Sequence, residues 1–198
     1  RAIPAESEIR KSLGLEEKPV IAMLAGSRKS EVRQILPRML KVVQDFPGYQ
    51  FVLAGVKNLP EELYNGIIKD YPVKLVRDKT YEILYISEAA LVKSGTATLE
   101  AALIGVPEVV CYRGDFISMI IAWTLVKVKY ISLVNLIAGY EAVRELIQYS
   151  LNRKNLVHEL KALLPGGSKR EKVLRDYERV KQILGPEGAS ERVASAMV

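Results

Sequence analysis

The stretch Ala89-Ala-Leu-Val-Lys-Ser-Gly-Thr-Ala-Thr-Leu-Glu100 contains the pattern that decides the fold. Its first four residues form a short, continuous apolar run, which is typical of a strand buried on both faces. A small polar turn follows at Ser94 and Gly95, and Ala97–Ile104 is predicted to be a helix. A strand that turns directly into a helix is the unit from which parallel sheets are built.

The same unit recurs on both sides of this stretch. Further strands are predicted at Pro19–Leu24, Gln50–Ala54, Val73–Val76 and Glu108–Tyr112, and further helices at Glu31–Asp45, Pro60–Tyr71 and Thr80–Ser87. About five strands that alternate with helices predict an α/β fold, with a single Rossmann-like parallel sheet flanked by helices. Sheets of this kind bind ligands beyond the carboxyl ends of their strands.

The two ends of the chain are predicted to be helical. Residues 1–18 are predicted to be a linker with one short helix at Ser7–Leu13. After Tyr112 the sequence predicts helices at Phe116–Val126, Glu141–Leu151, Arg153–Leu164, Ser168–Leu184 and Ala189–Val198, with a loop at Ser132–Gly139. We therefore expect a Rossmann-like domain over residues 19–150 and a C-terminal helical tail over residues 151–198, which packs on the domain or on a partner.

The composition is that of a folded α/β domain. Of 198 residues, 49% are apolar and 26% are charged, which argues against disorder. Cys111 and His158 are the only cysteine and histidine, so the sequence excludes an intrachain disulfide and a cysteine–histidine metal cluster. The net charge of +6 favours anionic partners. No signal peptide or spanning helix is predicted. A fragment would explain the missing initiator methionine, and so would processing of a longer chain.

The strongest candidate site is the turn Ser94-Gly-Thr-Ala-Thr-Leu-Glu100. Gly95 lets the backbone approach a ligand, free N–H groups at the helix start attract anions, and Ser94 and Thr96 add hydroxyl donors. These features suit a diphosphate, and Glu100, about one helical turn further on, could accept hydrogen bonds from ribose hydroxyls. An ordinary helix cap with nothing bound, followed by a solvated glutamate, explains the same residues equally well.

A weaker motif is Gly26-Ser27-Arg28, which follows the first predicted strand. Arg28 could make a forked contact with a phosphate, although an ordinary turn with an exposed arginine has the same sequence. The chain contains neither G-x-G-x-x-G nor G-x-x-x-x-G-K-[ST], which argues against a dinucleotide oxidoreductase and a P-loop NTPase. It also lacks D-x-D, the usual carboxylate pair for a metal-bound nucleotide sugar, so we expect no metal and no cofactor.

Three segments together resemble the lipid A disaccharide synthase family, glycosyltransferases built from two Rossmann-like domains. They are Leu24-Ala-Gly-Ser-Arg28 with Glu31-Val32, the turn Ser94–Glu100 with Gly105-Val-Pro107 and Val109-Val-Cys-Tyr112-Arg113, and Tyr130-Ile-Ser-Leu-Val-Asn-Leu-Ile-Ala-Gly139 with Glu141 and Glu145-Leu-Ile-Gln148. The third segment is the most specific to the family. The resemblance runs from about residue 19 to residue 150 and implies the C-terminal half of a GT-B-type glycosyltransferase.

The resemblance implies a reaction and its partners. The family joins UDP-2,3-diacylglucosamine to 2,3-diacylglucosamine 1-phosphate, releases UDP and forms the lipid A disaccharide of Gram-negative bacteria. The C-terminal half would bind the UDP-diacylglucosamine donor, while a missing N-terminal domain would supply the acceptor contacts and the catalytic base. We therefore expect no catalytic residue in this half and no activity from it alone. The resemblance further implies a cytoplasmic enzyme at the inner membrane, without nucleic acid, and it leaves a dimer open.

Carried over residue by residue, the resemblance implies a donor-binding set formed by Arg28, Ser94, Gly95, Thr96, Glu100, Asn135, Glu141 and Gln148. Of these, Ser94, Gly95 and Thr96 would hold the diphosphate. Glu100 would hold the ribose and Arg28 a phosphate, while the last three would line the interdomain cleft. By analogy with related enzymes, the backbone near Leu75, Val76 and Arg77 would read the uracil edge.

The chain departs from the family pattern at several positions. Many members have proline where Ala25 and Val134 stand. Many have a small residue at the position of Lys93, so this chain adds a cation next to the diphosphate turn. Many have arginine where Tyr140 stands, so this chain lacks a cation beside the cleft.

The segment Phe116–Tyr130 is predicted to be a contact surface for a membrane or a partner. It is apolar nearly all round and ends in lysines beside aromatic rings, which suits a lipid headgroup region. The residues expected on this surface are Phe116, Met119, Ile120, Trp123 and Lys127. Burial beneath the missing domain or the helical tail is the alternative.

Two other functions stay open at this stage. A UDP-sugar epimerase could have the same fold, but it would need acidic and histidine groups in its cleft, and His158 lies in the helical tail. An inactive nucleotide-sugar-binding domain would retain the fold with a degenerate site. Binding of UDP separates the enzymes from the degenerate domain.

Overall fold

The computed structural model describes residues 4–114 and 129–185 and shows a six-stranded, wholly parallel sheet. The strands are β1 (Val20–Leu24), β2 (Gln50–Gly55), β3 (Val73–Arg77), β4 (Ser87–Lys93), β5 (Glu108–Tyr112) and β6 (Arg144–Ile147). Their order in the sheet is β3-β2-β1-β4-β5-β6. The chain therefore reverses direction across the sheet between β1 and β4, where such sheets have their binding crevice.

Helices cover both faces of the sheet. They are α1 (Glu6–Leu13), α2 (Lys29–Met39), α3 (Glu61–Ile68), α4 (Thr80–Tyr85), α5 (Thr96–Ile104), α6 (Leu133–Ala138), α7 (Arg153–Leu163) and α8 (Arg170–Leu184), with 3₁₀ turns at Leu40–Asp45 and Gln148–Ser150. All five residues of β1 are buried. The α/β fold predicted from the sequence is thus confirmed, and the five predicted strands all form.

The side chains of the strands alternate between two apolar cores. Ile21, Met23 and Phe51 point into the larger core, while Val20 and Ala22 point into the smaller one on the opposite face. The larger core also contains residues from α7 and α8, namely Leu156, Leu160, Leu163, Val173, Tyr177, Val180 and Leu184. Helices α7 and α8 therefore share one core with the strands of the sheet.

Two predictions beyond β5 were wrong. Ser132–Gly139 is not a loop, because Leu133–Ala138 forms α6. Ser132 is the N-cap of this helix, and Gly139, with a φ of 77°, is its C-cap. Glu141–Leu151 is not a helix, because Arg144–Ile147 forms β6, so the C-terminal part does contain a strand. The spacing of Ala142, Val143, Leu146 and Ile147 fits a helix, but pairing with β5 from Val109 to Tyr112 decides the outcome.

The predicted helices at Phe116–Val126 and Ala189–Val198 lie outside the described residues. No helix among the described residues is long and apolar enough to cross a membrane.

Candidate nucleotide-binding site

A cavity of about 230 Å³ opens beyond the carboxyl ends of β1 and β4, and we call it the β1/β4 crevice. Its polar lining comes from the turn after β1, the end of β4 and the N-terminal parts of α2, α4 and α5: Ser27, Glu31, Thr80, Lys93, Thr96 and Glu100. Because β1 and β4 are buried and paired along their length, these loops are held on a rigid edge.

The first wall of the crevice is the turn between β1 and α2. Gly26 has a φ of +106°, and a Cβ atom at this position would lie 2.6 Å from Glu31 Oε2. That oxygen accepts the backbone N–H groups of Ser27 (3.0 Å) and Arg28 (3.2 Å). Arg28 lies at the rim with its side chain 81% exposed, and its guanidinium is 3.9 Å from Glu31 Oε1. The turn thus needs glycine, and one carboxylate oxygen accepts two of its backbone N–H groups.

An ion pair crosses the crevice. Lys93 Nζ lies 2.9 Å from Glu31 Oε1, and the two side chains are 22% and 15% exposed. Burial alone would raise the pKa of Glu31, but the hydrogen bond and charge of Lys93, together with the two amides of the turn, bring this pKa below its ordinary value. The carboxylate is therefore ionised at neutral pH, and the pair spans from β4 to α2.

The second wall is the start of α5. Gly95 occupies the cap position, and no side chain caps the helix there. Thr98 turns inward, because its hydroxyl donates to Gly95 O at 2.8 Å. Thr96 and Glu100 both line the crevice, one helical turn apart. The uncapped amides and the positive end of the helix dipole therefore face the cavity, which makes this wall attractive to anions.

Ser94 lies beneath this wall rather than on it. Its side chain is buried, its hydroxyl donates to Ile131 O at 2.7 Å, and its amide donates to Cys111 O at 3.0 Å. The hydroxyl proton is thus already used inside the protein. Ser94 ties the turn before α5 to the segment that leads into α6.

Asn135 lies in a buried set of hydrogen bonds that we call the α6 network, formed with Ser132 and Glu145. The Asn135 amide donates to Val143 O and Glu145 Oε1, both at 2.9 Å, and its oxygen accepts from Ala142 N (2.8 Å) and Val143 N (2.9 Å). The Glu145 carboxylate also accepts from Ser132 N at 2.9 Å and from the Ser132 hydroxyl at 2.7 Å. All four hydrogen-bonding positions of the Asn135 side chain are filled.

The other residues expected at the cleft lie elsewhere. Glu141 is exposed, pairs with Arg144 at 2.9 Å and lines a second cavity of about 240 Å³ beside α7 and α8. Gln148, just after β6, donates from Nε2 to Gly114 O at 2.9 Å. Tyr140 packs on α8, where its hydroxyl donates to Asp176 at 2.9 Å.

The residues expected to read uracil lie on the edge strand β3. Leu75, Val76 and Arg77 pair with β2, and the crevice is lined by Ala54 near the end of β2 and by Val56 in the loop after it. The Arg77 guanidinium donates to Lys57 O (3.2 Å) and Leu59 O (3.0 Å), so it braces the loop after β2. This region is therefore one strand away from the crevice.

Comparison with known proteins identifies the family. A family model described as lipid-A-disaccharide synthetase matches residues 3–197. The chain belongs to this family. The lipid-A-disaccharide synthase of Syntrophus aciditrophicus is 36% identical over 202 residues, which cover 98% of this chain and 53% of the relative. The chain thus spans about half the length of the curated relatives it matches.

Solved structures show the same fold. The glycosyltransferase SnogD from Streptomyces nogalater has a TM-score of 0.58 at 20% identity, over 99% of this chain and 47% of its own. The UDP-GlcNAc 2-epimerase from Neisseria meningitidis, solved with UDP-GlcNAc, has a TM-score of 0.56 at 16% identity, over 97% of this chain and 48% of its own. This chain therefore has the fold of one half of a GT-B-type protein.

The ion pair between Glu31 and Lys93 was not predicted from the sequence. For Glu31 a signal existed, because a glutamate at the third position of a helix is the capping-box pattern. For Lys93 no local sequence pattern indicates the partner, since 62 positions separate the two residues and the β1–β4 pairing brings them together.

The predicted membrane or partner surface cannot be compared with the structure. Phe116, Met119, Ile120, Trp123 and Lys127 lie outside the described residues. Within residues 4–114 and 129–185, no three histidine, cysteine or carboxylate side chains are grouped so that they could hold a metal ion.

Proposed function

We propose that this chain is the donor-binding half of a lipid A disaccharide synthase and that UDP-diacylglucosamine binds in the β1/β4 crevice. The observation that supports this most directly is the uncapped start of α5 at the strand-order reversal, beside the ammonium of Lys93. A diphosphate is the part of the donor that such a helix end and cation attract.

Within this proposal each group of the donor has a partner. The amides at Gly95 and Thr96 and the Thr96 hydroxyl bind the diphosphate, and Glu100 accepts from the ribose. Arg28 reaches a phosphate from the rim, where its exposed side chain has room to move. The backbone of Leu75–Arg77 reads uracil after the loop behind β2 adjusts. Ser94 acts by holding the turn through Ile131.

Asn135, Glu141 and Gln148 have a different place in the proposal. Asn135 shapes the floor of the cleft through the α6 network, because its side chain has no capacity left for a ligand. Gln148 lies at the carboxyl end of β6 and Glu141 on the outer surface, where a second domain could meet them. Such a domain fits the length of the relatives, of which this chain covers about half.

The whole enzyme would transfer the diacylglucosaminyl group of the donor to the acceptor 2,3-diacylglucosamine 1-phosphate and release UDP. The acceptor contacts and the general base would come from the other half, so the chain by itself would bind the donor without turning it over. We further propose that the enzyme works in the cytoplasm at the inner membrane surface, with a dimer as one assembly to test. No nucleic acid enters this function.

Titration of the 198-residue chain with UDP and UDP-N-acetylglucosamine tests the proposal. Binding should shift the amide resonances of residues 94–100, and Glu100→Gln should weaken it about 10-fold, the effect of a charge-assisted hydrogen bond. Glu171→Gln, on the exposed first turn of α8, is the matched control and should bind like the parent. Absence of UDP binding, or amide shifts that miss residues 94–100, would contradict the proposal.

An activity assay separates this half from the whole enzyme. The chain alone should form no disaccharide from the two lipid substrates, and turnover above a protein-free control would show that catalysis lies in this half. The epimerase alternative gains no support from the crevice, because His158 is exposed on α7 and is not among the described residues that line the cavity. A UDP-N-acetylglucosamine sample that stays unepimerised in the same titration tests this point.

A further inference from the structure

The Glu31–Lys93 ion pair is built unevenly. One carboxylate oxygen of Glu31 is fixed by the amides of Ser27 and Arg28, and only the other faces the ammonium. Lys93 has three N–H donors, and Glu31 takes one of them. Glu31 is therefore the anchored member of the pair, while Lys93 can keep its place in the crevice and change its partner.

The position of the ammonium adds to this asymmetry. Lys93 is the last residue of β4, and its Nζ lies 3.9 Å from where a Cβ atom of Gly95 would be. The cation is thus beside the positive end of the α5 dipole. The ammonium of Lys93 and the positive end of the α5 dipole therefore lie close together, and the Glu31 carboxylate pairs with the ammonium.

We propose that Lys93 sets the preference of the crevice for a diphosphate over a monophosphate, by turning its ammonium from Glu31 to a phosphate oxygen when the donor binds. The inference rests on the proposed function, namely that this crevice binds a nucleoside diphosphate. A second phosphate group reaches further along the crevice, so it is the group that meets Lys93 between the α5 terminus and Glu31.

The charges explain why the lysine matters at this place. Without Lys93, the ionised Glu31 would face the incoming phosphates directly and repel them. With Lys93 between them, the phosphate gains a charge-assisted hydrogen bond, and Glu31 still retains its two backbone amides. Glu31 and the donor phosphate therefore compete for the Lys93 ammonium. This competition lowers the affinity for the donor.

Calorimetric titration with UDP and UMP tests the inference on the 198-residue chain. Lys93→Met should weaken UDP binding about 30-fold and UMP binding about 3-fold or less, which is the range of one lost charge-assisted contact. Glu31→Gln should tighten UDP binding about 3-fold, because the competitor loses its charge while its oxygen still accepts the amides. The double variant should bind UDP more tightly than Lys93→Met alone.

The controls distinguish the loss of a contact between Lys93 and the phosphate from a general loss of folding. Lys181→Met removes a lysine that is also paired with a glutamate, Glu178 at 2.7 Å on α8, but away from the crevice, and it should leave both affinities unchanged. Lys93→Arg keeps the positive charge and should retain the preference for UDP over UMP. This variant tests the inference even if Lys93→Met is too unstable to titrate. If Lys93→Met binds UDP like the parent, or loses UDP and UMP equally, the inference is overturned while UDP binding itself still supports the proposed function. If the parent chain does not bind UDP, the proposed function fails first.

Discussion

The β1/β4 crevice and the α6 network contain similar polar groups and use them in opposite ways. In the α6 network, Asn135 has all four of its hydrogen-bonding positions filled by protein atoms and is fully buried. In the crevice, the start of α5 has no side-chain cap and Lys93 is partly exposed. Saturated and buried groups stabilise the fold, whereas groups with spare donors beside open space can bind a ligand. This distinction leads us to propose the crevice, and not Asn135, as the donor contact.

Removal of the centre of the α6 network should have the largest effect. Asn135→Ala leaves the amides of Ala142 and Val143 buried without an acceptor, and each such loss costs about 1–3 kcal/mol. We expect the free energy of unfolding in urea to fall by about 3–5 kcal/mol in total. Asn58→Ala, which removes one exposed hydrogen bond to Ser27 O, should change it by less than about 0.5 kcal/mol. Equal losses of stability in the two variants would contradict a special structural role for the α6 network.

A methyl group at Gly26 should damage the crevice more than the fold. Gly26→Ala places a Cβ atom against Glu31 at a φ of +106°, at a cost of about 2 kcal/mol in stability. It should also weaken UDP binding, because Glu31 is pushed from the turn amides. Gly48→Ala, at a position with open space within 4 Å, should alter neither quantity. Retained UDP affinity in a destabilised Gly26→Ala would show that the turn takes no part in binding.

Glu108 tests whether partners, rather than burial alone, make a polar group stabilising. It is fully buried at the start of β5, and neither carboxyl oxygen has a hydrogen-bond partner of normal geometry among the described residues. Burial raises the pKa of Glu108 well above its ordinary value of 4.5, with the Tyr177 hydroxyl opposing this rise and the charge of Glu145 adding to it.

The sign of the pH dependence follows from the raised pKa. The folded protein holds the Glu108 proton more tightly than the unfolded chain, so the contribution of Glu108 is complete below pH 4.5 and is lost as the pH rises through the folded-state pKa. Glu108→Gln cannot ionise and should therefore gain about 1 kcal/mol or more on the parent at high pH. Urea unfolding from pH 4 to pH 8 measures the difference, with Glu171→Gln, at an exposed position on α8, measured in parallel as the control. A gain that shrinks with rising pH would contradict the assignment.

The smallest effect is expected at Glu141. Its side chain is exposed and its ion pair with Arg144 spans three residues, so Glu141→Ala should change the stability by less than about 0.5 kcal/mol. UDP binding by the chain should also be unchanged, because Glu141 lines the other cavity. A clear loss of UDP affinity would extend the donor site to the β6 side and remove the contrast between the two regions.

Part of the candidate site was readable from the sequence. The turn from Ser94 to Glu100 and the loop at Gly26 follow short apolar strands, and the carboxyl ends of parallel strands share one edge, so their meeting is a consequence of local pattern. The buried position of Asn135 could not be predicted from the sequence. The four atoms that its side chain contacts come together only through the bend between α6 and β6.

The local sequence pattern predicts the alternation of strands and helices from Val20 to Tyr112, because β1, β2 and the centre of β4 are apolar runs typical of buried strands and are separated by helical spacing. The formation of β6, by contrast, depends on tertiary contacts. Residues Arg144–Ile147 have apolar neighbours at helical spacing, and they form a strand because the free edge of β5 offers hydrogen bonds that a helix would leave unmade. The pairing of Glu31 with Lys93 is of the same kind, since contacts between distant segments exist only after the sheet has brought β1 and β4 together.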